Sequence, residues 1–220
     1  MPRVDLYCII HKALRTMLFD TARCVAEANF ADPSSAASAV ASLNKTLEFL
    51  EEHNGHEDQF VEPLLSGPAP ELVGRIRSEH IRLQEQVSVM QGLAAEIIEA
   101  QGPAALGLGA QLHLKFSVFT ADYLGHMATE ESEANPVLWE NHGDMELVEA
   151  RTLLQGSIPP ERFAQWFSHM VPAMNWQERV GVLGGMKMHA PPPVFQALSG
   201  VARKSIGEAA WSDLSAALPS

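Results

Sequence analysis

The stretch HNGHEDQFVEP, residues 53–63, carries two histidines and a glutamate on what its flanks make an amphipathic helix. Leu43, Leu47 and Leu50 precede it at three- and four-residue spacing, and His53, Glu57, Phe60 and Leu64 continue the same stripe. Residues three and four apart share one face of a helix. His53 and Glu57 therefore fall where the core should be apolar. A second stretch, HMATEESEANP (126–136), repeats the arrangement: His-x-x-x-Glu, an acid directly after the Glu, and a proline six residues beyond it.

Working outward from these two stretches, the chain reads as helical almost throughout. The first helix is expected over about 3–29, the second from the mid-thirties to about 65, the third over 70–100, and the fourth from near 104 to at least Asn135. The breaks are ADPSS, SGPAP and QGP, rich in the residues that turn a chain or cap a helix. Pro136 is placed to kink or end the fourth helix. Four long helices with short connections predict an all-α, up-down-up-down four-helix bundle spanning residues 1–143. From 144 to 220 the helices shorten between GSIPP, Pro172 and APPP, with starts expected at Ser157 and at Asn175, whose Glu178 completes a capping box. This part reads as a small helical appendage with its own apolar weight, from Phe163 to Leu214.

The other two long helices each carry a histidine within the apolar stripe. The first runs Val4, Tyr7, His11, Leu14, Leu18, Val25; the third runs Val73, Ile76, His80, Leu83, Val87, Met90. The fourth stripe is Leu112, Phe116, Phe119, Tyr123, His126, Glu130 and Val137. A single core histidine is ordinary, but four aligned stripes with two glutamates are not. A buried carboxylate is costly unless it is paired or metal-bound, and the stripes offer no Lys or Arg. The unit "His helix, then His-x-x-x-Glu helix" occurs twice, and two copies about a pseudo-twofold would gather four imidazoles and two carboxylates at one level. That is the composition of a dinuclear metal site, with His11, His53, Glu57, His80, His126 and Glu130 as candidate ligands. His56 and Glu131 are the alternates, and Asp58 reads as solvated or supporting. Mixed imidazole and carboxylate donors suit iron, manganese or zinc and are poor for calcium.

Composition narrows the alternatives. The chain of 220 residues has a formal net charge of −12 and no Lys/Arg run, which disfavours nucleic acid and anionic membranes as partners. No signal-peptide pattern and no unbroken apolar run of about 18 residues is evident, so a soluble cytoplasmic protein is expected. Cys8 and Cys24 lie sixteen residues apart on one expected helix, too far to bridge. There is no nucleophile elbow, glycine-rich phosphate loop or CxxC.

With IIHKAL around His11, HNGHED…EPLL, the EH at 79–80 and YLGHMATEE…NPVLW, the chain resembles the hemerythrin-like (HHE cation-binding) family over roughly residues 3–142. The resemblance implies a bundle holding an oxo- or hydroxo-bridged di-iron centre, and so favours iron over the manganese or zinc that the donor types also allow. It implies terminal ligation by His11, His53, His80 and His126, and bridging by Glu57 and Glu130. It also implies roles in oxygen binding and in oxygen, nitric oxide, redox or iron sensing. The sequence departs from the oxygen-carrying members at Ile76, where they have a second third-helix histidine, and in offering Glu131 beside Glu130. That shifts weight from oxygen carriage toward sensing or redox chemistry. The leading expectation is a di-iron protein handling a small diatomic or peroxide ligand. A di-metal oxidase, peroxidase or reductase and a metal-free helical interaction domain are the competing readings, and homo-oligomerisation is left open.

Overall fold

The computed structural model describes residues 3–100 and 102–219, and among these the chain is helical with no strand. The first long helix, α1 (Cys8–Glu27), begins later than the stripe from Val4 suggests, because residues 3–7 are non-helical. Asp32 caps α2 (Pro33–His56), its carboxylate accepting the Ser35 backbone N–H at 3.0 Å, with Pro33 in the first helical position. After a π-helical turn at Glu57–Val61, α3 (Glu62–Leu65) closes the second rod. Then come α4 (Pro70–Glu99) and α5 (Pro103–Thr129), the latter entered through Gly102 at φ +57°, a conformation open to glycine. The expected break at QGP falls partly on Gln101, outside the described residues. A second π turn, Glu130–Ala134, leads into α6 (Asn135–Asn141), so the fourth rod passes through Pro136 instead of ending there.

The two π turns have a local cause. Glu62 donates its backbone N–H to the Glu57 carbonyl, and Asn135 donates to Glu130, five residues back in each case. The next residue is Pro63 in one rod and Pro136 in the other. Proline offers no N–H to the carbonyl four residues back and its ring crowds that carbonyl. A wider turn just before it accommodates both defects and adds one residue to the turn. The apolar register therefore slips. The core takes Val61 and Leu65 where α-helical spacing predicts Phe60 and Leu64, and Ala134 and Leu138 where it predicts Val137.

The chain separates into two compact units. One comprises the residues through Tyr7 and Arg15–Arg151; the other comprises Cys8–Leu14 and Thr152–Ser220. The two units meet between Arg151 and Thr152, inside α7 (Asp144–Ser157). In the first unit the stripe residues Leu18, Leu43, Leu47, Leu50, Leu83, Leu112, Phe116 and Phe119 are essentially inaccessible to solvent. Removing such side chains from water is the main favourable contribution to the fold. In the second unit, α8 (Pro160–Ala173), α9 (Trp176–His189), α10 (Pro192–Ile206) and α11 (Glu208–Ala217) bury Phe167, Val171, Leu183, Leu198, Ala202 and Leu214 together. The capping box of Asn175 and Glu178 forms, with both hydrogen bonds present. Ser157, by contrast, ends α7; the following helix starts at Pro160 behind Pro159, whose fixed φ already suits a helix entrance. Cys8 and Cys24 are not joined in a disulfide. Among the described residues no helix is long and apolar enough to cross a membrane.

Gly109 on α5 marks a close approach: a Cβ there would lie 2.1 Å from the Phe30 ring. Alanine normally improves a helix interior by up to about 1 kcal/mol over glycine, yet overpacking of this kind costs about 1–3 kcal/mol. Gly109→Ala is expected to lower the thermal midpoint in calorimetry. A raised midpoint would mean that Phe30 moves aside freely.

Candidate metal centre

The two repeats bring their polar stripe residues to one level of the helices. Glu57 stands at the last turn of α2 just as the backbone widens, and Glu130 does the same at the end of α5. Each is one turn beyond its histidine. His53 Nε2 lies 3.1 Å from Glu57 Oε1, and His126 Nε2 lies 3.4 Å from Glu130 Oε1. From α4, His80 Nε2 reaches to 3.7 Å from Glu57, 3.9 Å from Glu130 and 3.0 Å from His126 Nε2. His11, on the first turns of α1, completes the set. All six side chains are buried, and Glu130 is only 1% exposed.

These residues form two groups, His11–His53–Glu57–Glu130 and His80–His126–Glu57–Glu130. Within each group, one donor atom per residue lies within 4.8 Å of every other. An octahedral cation with bonds of about 2.1 Å separates its donors by about 3–4 Å, so small side-chain adjustments would close either group on an ion. Both groups contain the same two carboxylates.

Two more acids orient the imidazoles from behind. Asp58 Oδ1 lies 2.8 Å from His80 Nδ1, and Glu79 Oε2 lies 2.9 Å from His126 Nδ1. A carboxylate on Nδ1 holds the proton there and leaves Nε2 with its lone pair facing the centre. Asp58, expected to be solvated or supporting, contacts His80 while its side chain stays half exposed. Glu79 was missed as a sequence signal; it directly precedes His80 and turns about 100° around α4 to serve a histidine on α5.

The alternates lie elsewhere. Glu131 makes two hydrogen bonds with the Arg15 guanidinium, at 2.7 and 3.1 Å. His56 is half-buried, and burial lowers its pKa; it belongs to neither group. His142 contacts the Leu64 carbonyl at 2.8 Å. Another buried acid, Glu62, is bound by Arg77 through both oxygens, a conventional ion pair.

Apolar layers bracket the centre. On one side Tyr7, Val61, Ile76 and Ala134 share a single cluster. Each stands four residues from a site residue: His11, Glu57, His80 and Glu130 respectively. On the other side lie Leu50, Leu83, Phe119 and Tyr123, all buried. The Tyr123 hydroxyl donates to Asn54 Oδ1 at 2.5 Å while its ring meets His126 edge-on at 5.6 Å.

Burial dominates the electrostatics. It raises the Glu130 carboxyl well above its usual range, and the charge of Glu57 and a hydrogen bond with Glu57 add to the effect. Burial also lowers His126 to about 4, partly offset by the Glu57 charge. The phenols of Tyr7 and Tyr123 are raised by burial first and by the two carboxylates second. A site that penalises both carboxylate and imidazolium charge in this way is suited to neutral imidazoles and an added cation.

The chain belongs to the hemerythrin HHE cation-binding domain family, whose model matches residues 9–138. No curated protein and no solved structure matches it. The matched span contains all six clustered residues and both π turns.

The shifts set a pH dependence for the metal-free protein. Glu130 has a raised folded pKa, so folding takes up a proton above its ordinary value of 4.5 and this group opposes folding increasingly as pH rises. His126, lowered from 6.5 to about 4, opposes folding only below 6.5. Above pH 6.5 the Glu130 effect stands alone of the two. The thermal midpoint of chelator-treated protein should therefore fall as pH rises between Glu130's ordinary 4.5 and its raised folded value, most clearly above 6.5 where His126 no longer contributes, and Glu130→Gln should flatten the slope. An unchanged slope in that variant would contradict the assignment.

Proposed function

We propose that this protein holds two iron ions in the clustered His/Glu site and uses them to bind or sense a small ligand such as oxygen, nitric oxide or peroxide. In this reading His11 and His53 would hold one ion and His80 and His126 the other, with Glu57 and Glu130 available to both. The observation that carries it is the sharing of both carboxylates by the two donor groups. The donor set fits the metal: imidazole and carboxylate suit iron, with manganese and zinc as weaker alternatives. When bound, such a pair supplies redox-active Lewis acids for a small oxygen- or nitrogen-containing ligand.

The protein's own residues account for the rest. Each group offers four protein donors, so an octahedral ion would keep positions for water or an incoming ligand. Ile76 keeps a further imidazole out of the centre and lines it with hydrocarbon instead. The apolar layers on both sides favour a ligand of two or three atoms over an organic substrate. Asp58 and Glu79 fix the two imidazoles behind which they sit, limiting reorganisation when the ligand binds. The open positions also favour a second reading, in which peroxide or nitric oxide is turned over.

Protein expressed with ample iron should contain about two irons per chain by plasma mass spectrometry, a stoichiometry of one ion for each donor group. Chelation should lower its thermal midpoint, because an ion bound only by the folded state stabilises that state. Protein without bound metal, and with a midpoint indifferent to chelator, would sink the proposal in favour of a helical interaction domain. Peroxide or nitric oxide consumption that disappears on chelation would establish the second reading over simple binding.

A further inference from the structure

Resting on the metal-site reading, we propose that Glu79 and Asp58 set the redox preference of the centre, their charges acting through His126 and His80 to favour ferric over ferrous iron. Glu79 Oε2 lies 2.9 Å from His126 Nδ1, and Asp58 Oδ1 lies 2.8 Å from His80 Nδ1. The same two imidazoles turn their other nitrogens inward, where the Nε2 atoms stand 3.0 Å apart. A carboxylate behind an imidazole draws the Nδ1 proton toward itself and leaves more electron density on Nε2. A more electron-rich donor stabilises the higher charge of a bound metal, so the reduction potential falls.

Each acid is the sequence neighbour of a centre residue: Asp58 follows Glu57, and Glu79 precedes His80. Within each pair one side chain enters the core, and the other turns about 100° around the helix to brace a histidine of the next rod. Asp58, in the first π turn, serves α4, and Glu79, on α4, serves α5. The two braces differ in their access to water. The Glu79 side chain is 30% exposed behind a fully buried His126, whereas Asp58 is 52% exposed behind His80. Water and salt screen an exposed charge more than a part-buried one, so Glu79 exerts the larger effect. Glutamine at 79 separates charge from orientation, because its amide oxygen still accepts the Nδ1–H while the negative charge is gone.

The test is a redox titration of iron-loaded full-length protein, with dithionite supplying one electron per ferric ion through mediator dyes and absorption reporting the oxidation state. Glu79→Gln should keep its iron and prefer the ferric state about tenfold less, a rise of about 59 mV in the one-electron midpoint potential. Asp58→Asn should raise the midpoint by less. Glu85→Gln removes the same charge from the exposed face of the same helix and should leave the midpoint unchanged. An unchanged or lowered midpoint in iron-replete Glu79→Gln would overturn the proposal and leave the carboxylates as orienting groups only. An equal rise in Glu85→Gln would overturn it as well, since the effect would then belong to overall charge. If Glu79→Gln does not hold iron, Asp58→Asn decides: a raised midpoint supports the proposal and an unchanged one overturns it. A wild-type protein without iron would instead remove the metal-site reading, and this inference with it.

Discussion

Two carboxylates buried among four imidazoles are the constraint on which the rest of this structure depends. An ionised carboxylate withdrawn from water costs on the order of several kcal/mol unless something compensates it. Glu62 illustrates the usual solution, an arginine across the helix seam. Glu57 and Glu130 face each other and the histidines instead, and their environment is built to hold a positive charge that is not a side chain. The apolar layers intensify that preference, because a low-dielectric surround raises the cost of the uncompensated state.

The π turns tie this chemistry to the backbone. In both repeats the glutamate is the first residue of the widened turn, and the proline six residues later is the sequence feature that goes with it. An extra residue in the turn lets one stripe serve two purposes. Up to Glu57 and Glu130 it presents polar side chains to the centre; beyond them it resumes in a shifted register with Val61, Leu65, Ala134 and Leu138 in the apolar layer. A regular α-helix would put Phe60 and Leu64 on that face instead.

The four-helix architecture was legible in the three-and-four spacing of the stripes, and the polar intruders at 11, 53, 57, 80, 126 and 130 were legible by the same rule. What spacing did not report is what depends on the deviation from it or on the distance between helices. The slip after each π turn is invisible to a fixed period of 3.6, although the paired prolines marked its place. Glu79 and Asp58 act across helix seams, on histidines of neighbouring rods, and no single-helix pattern shows such reach. The engagement of Glu131 by Arg15 likewise joins two rods, which no single-helix pattern reports.

In the proposed function one pair of carboxylates, Glu57 and Glu130, would serve two metal ions at once. Low-temperature electron paramagnetic resonance of the oxidised, iron-loaded protein, combined with Mössbauer spectroscopy, tests it most directly. Ions bridged by Glu57 and Glu130 should be antiferromagnetically coupled, giving a silent resonance spectrum while the Mössbauer spectrum accounts for two ferric ions per chain, one for each donor group. A resonance signal of isolated high-spin ferric iron integrating to all the iron present would contradict the account.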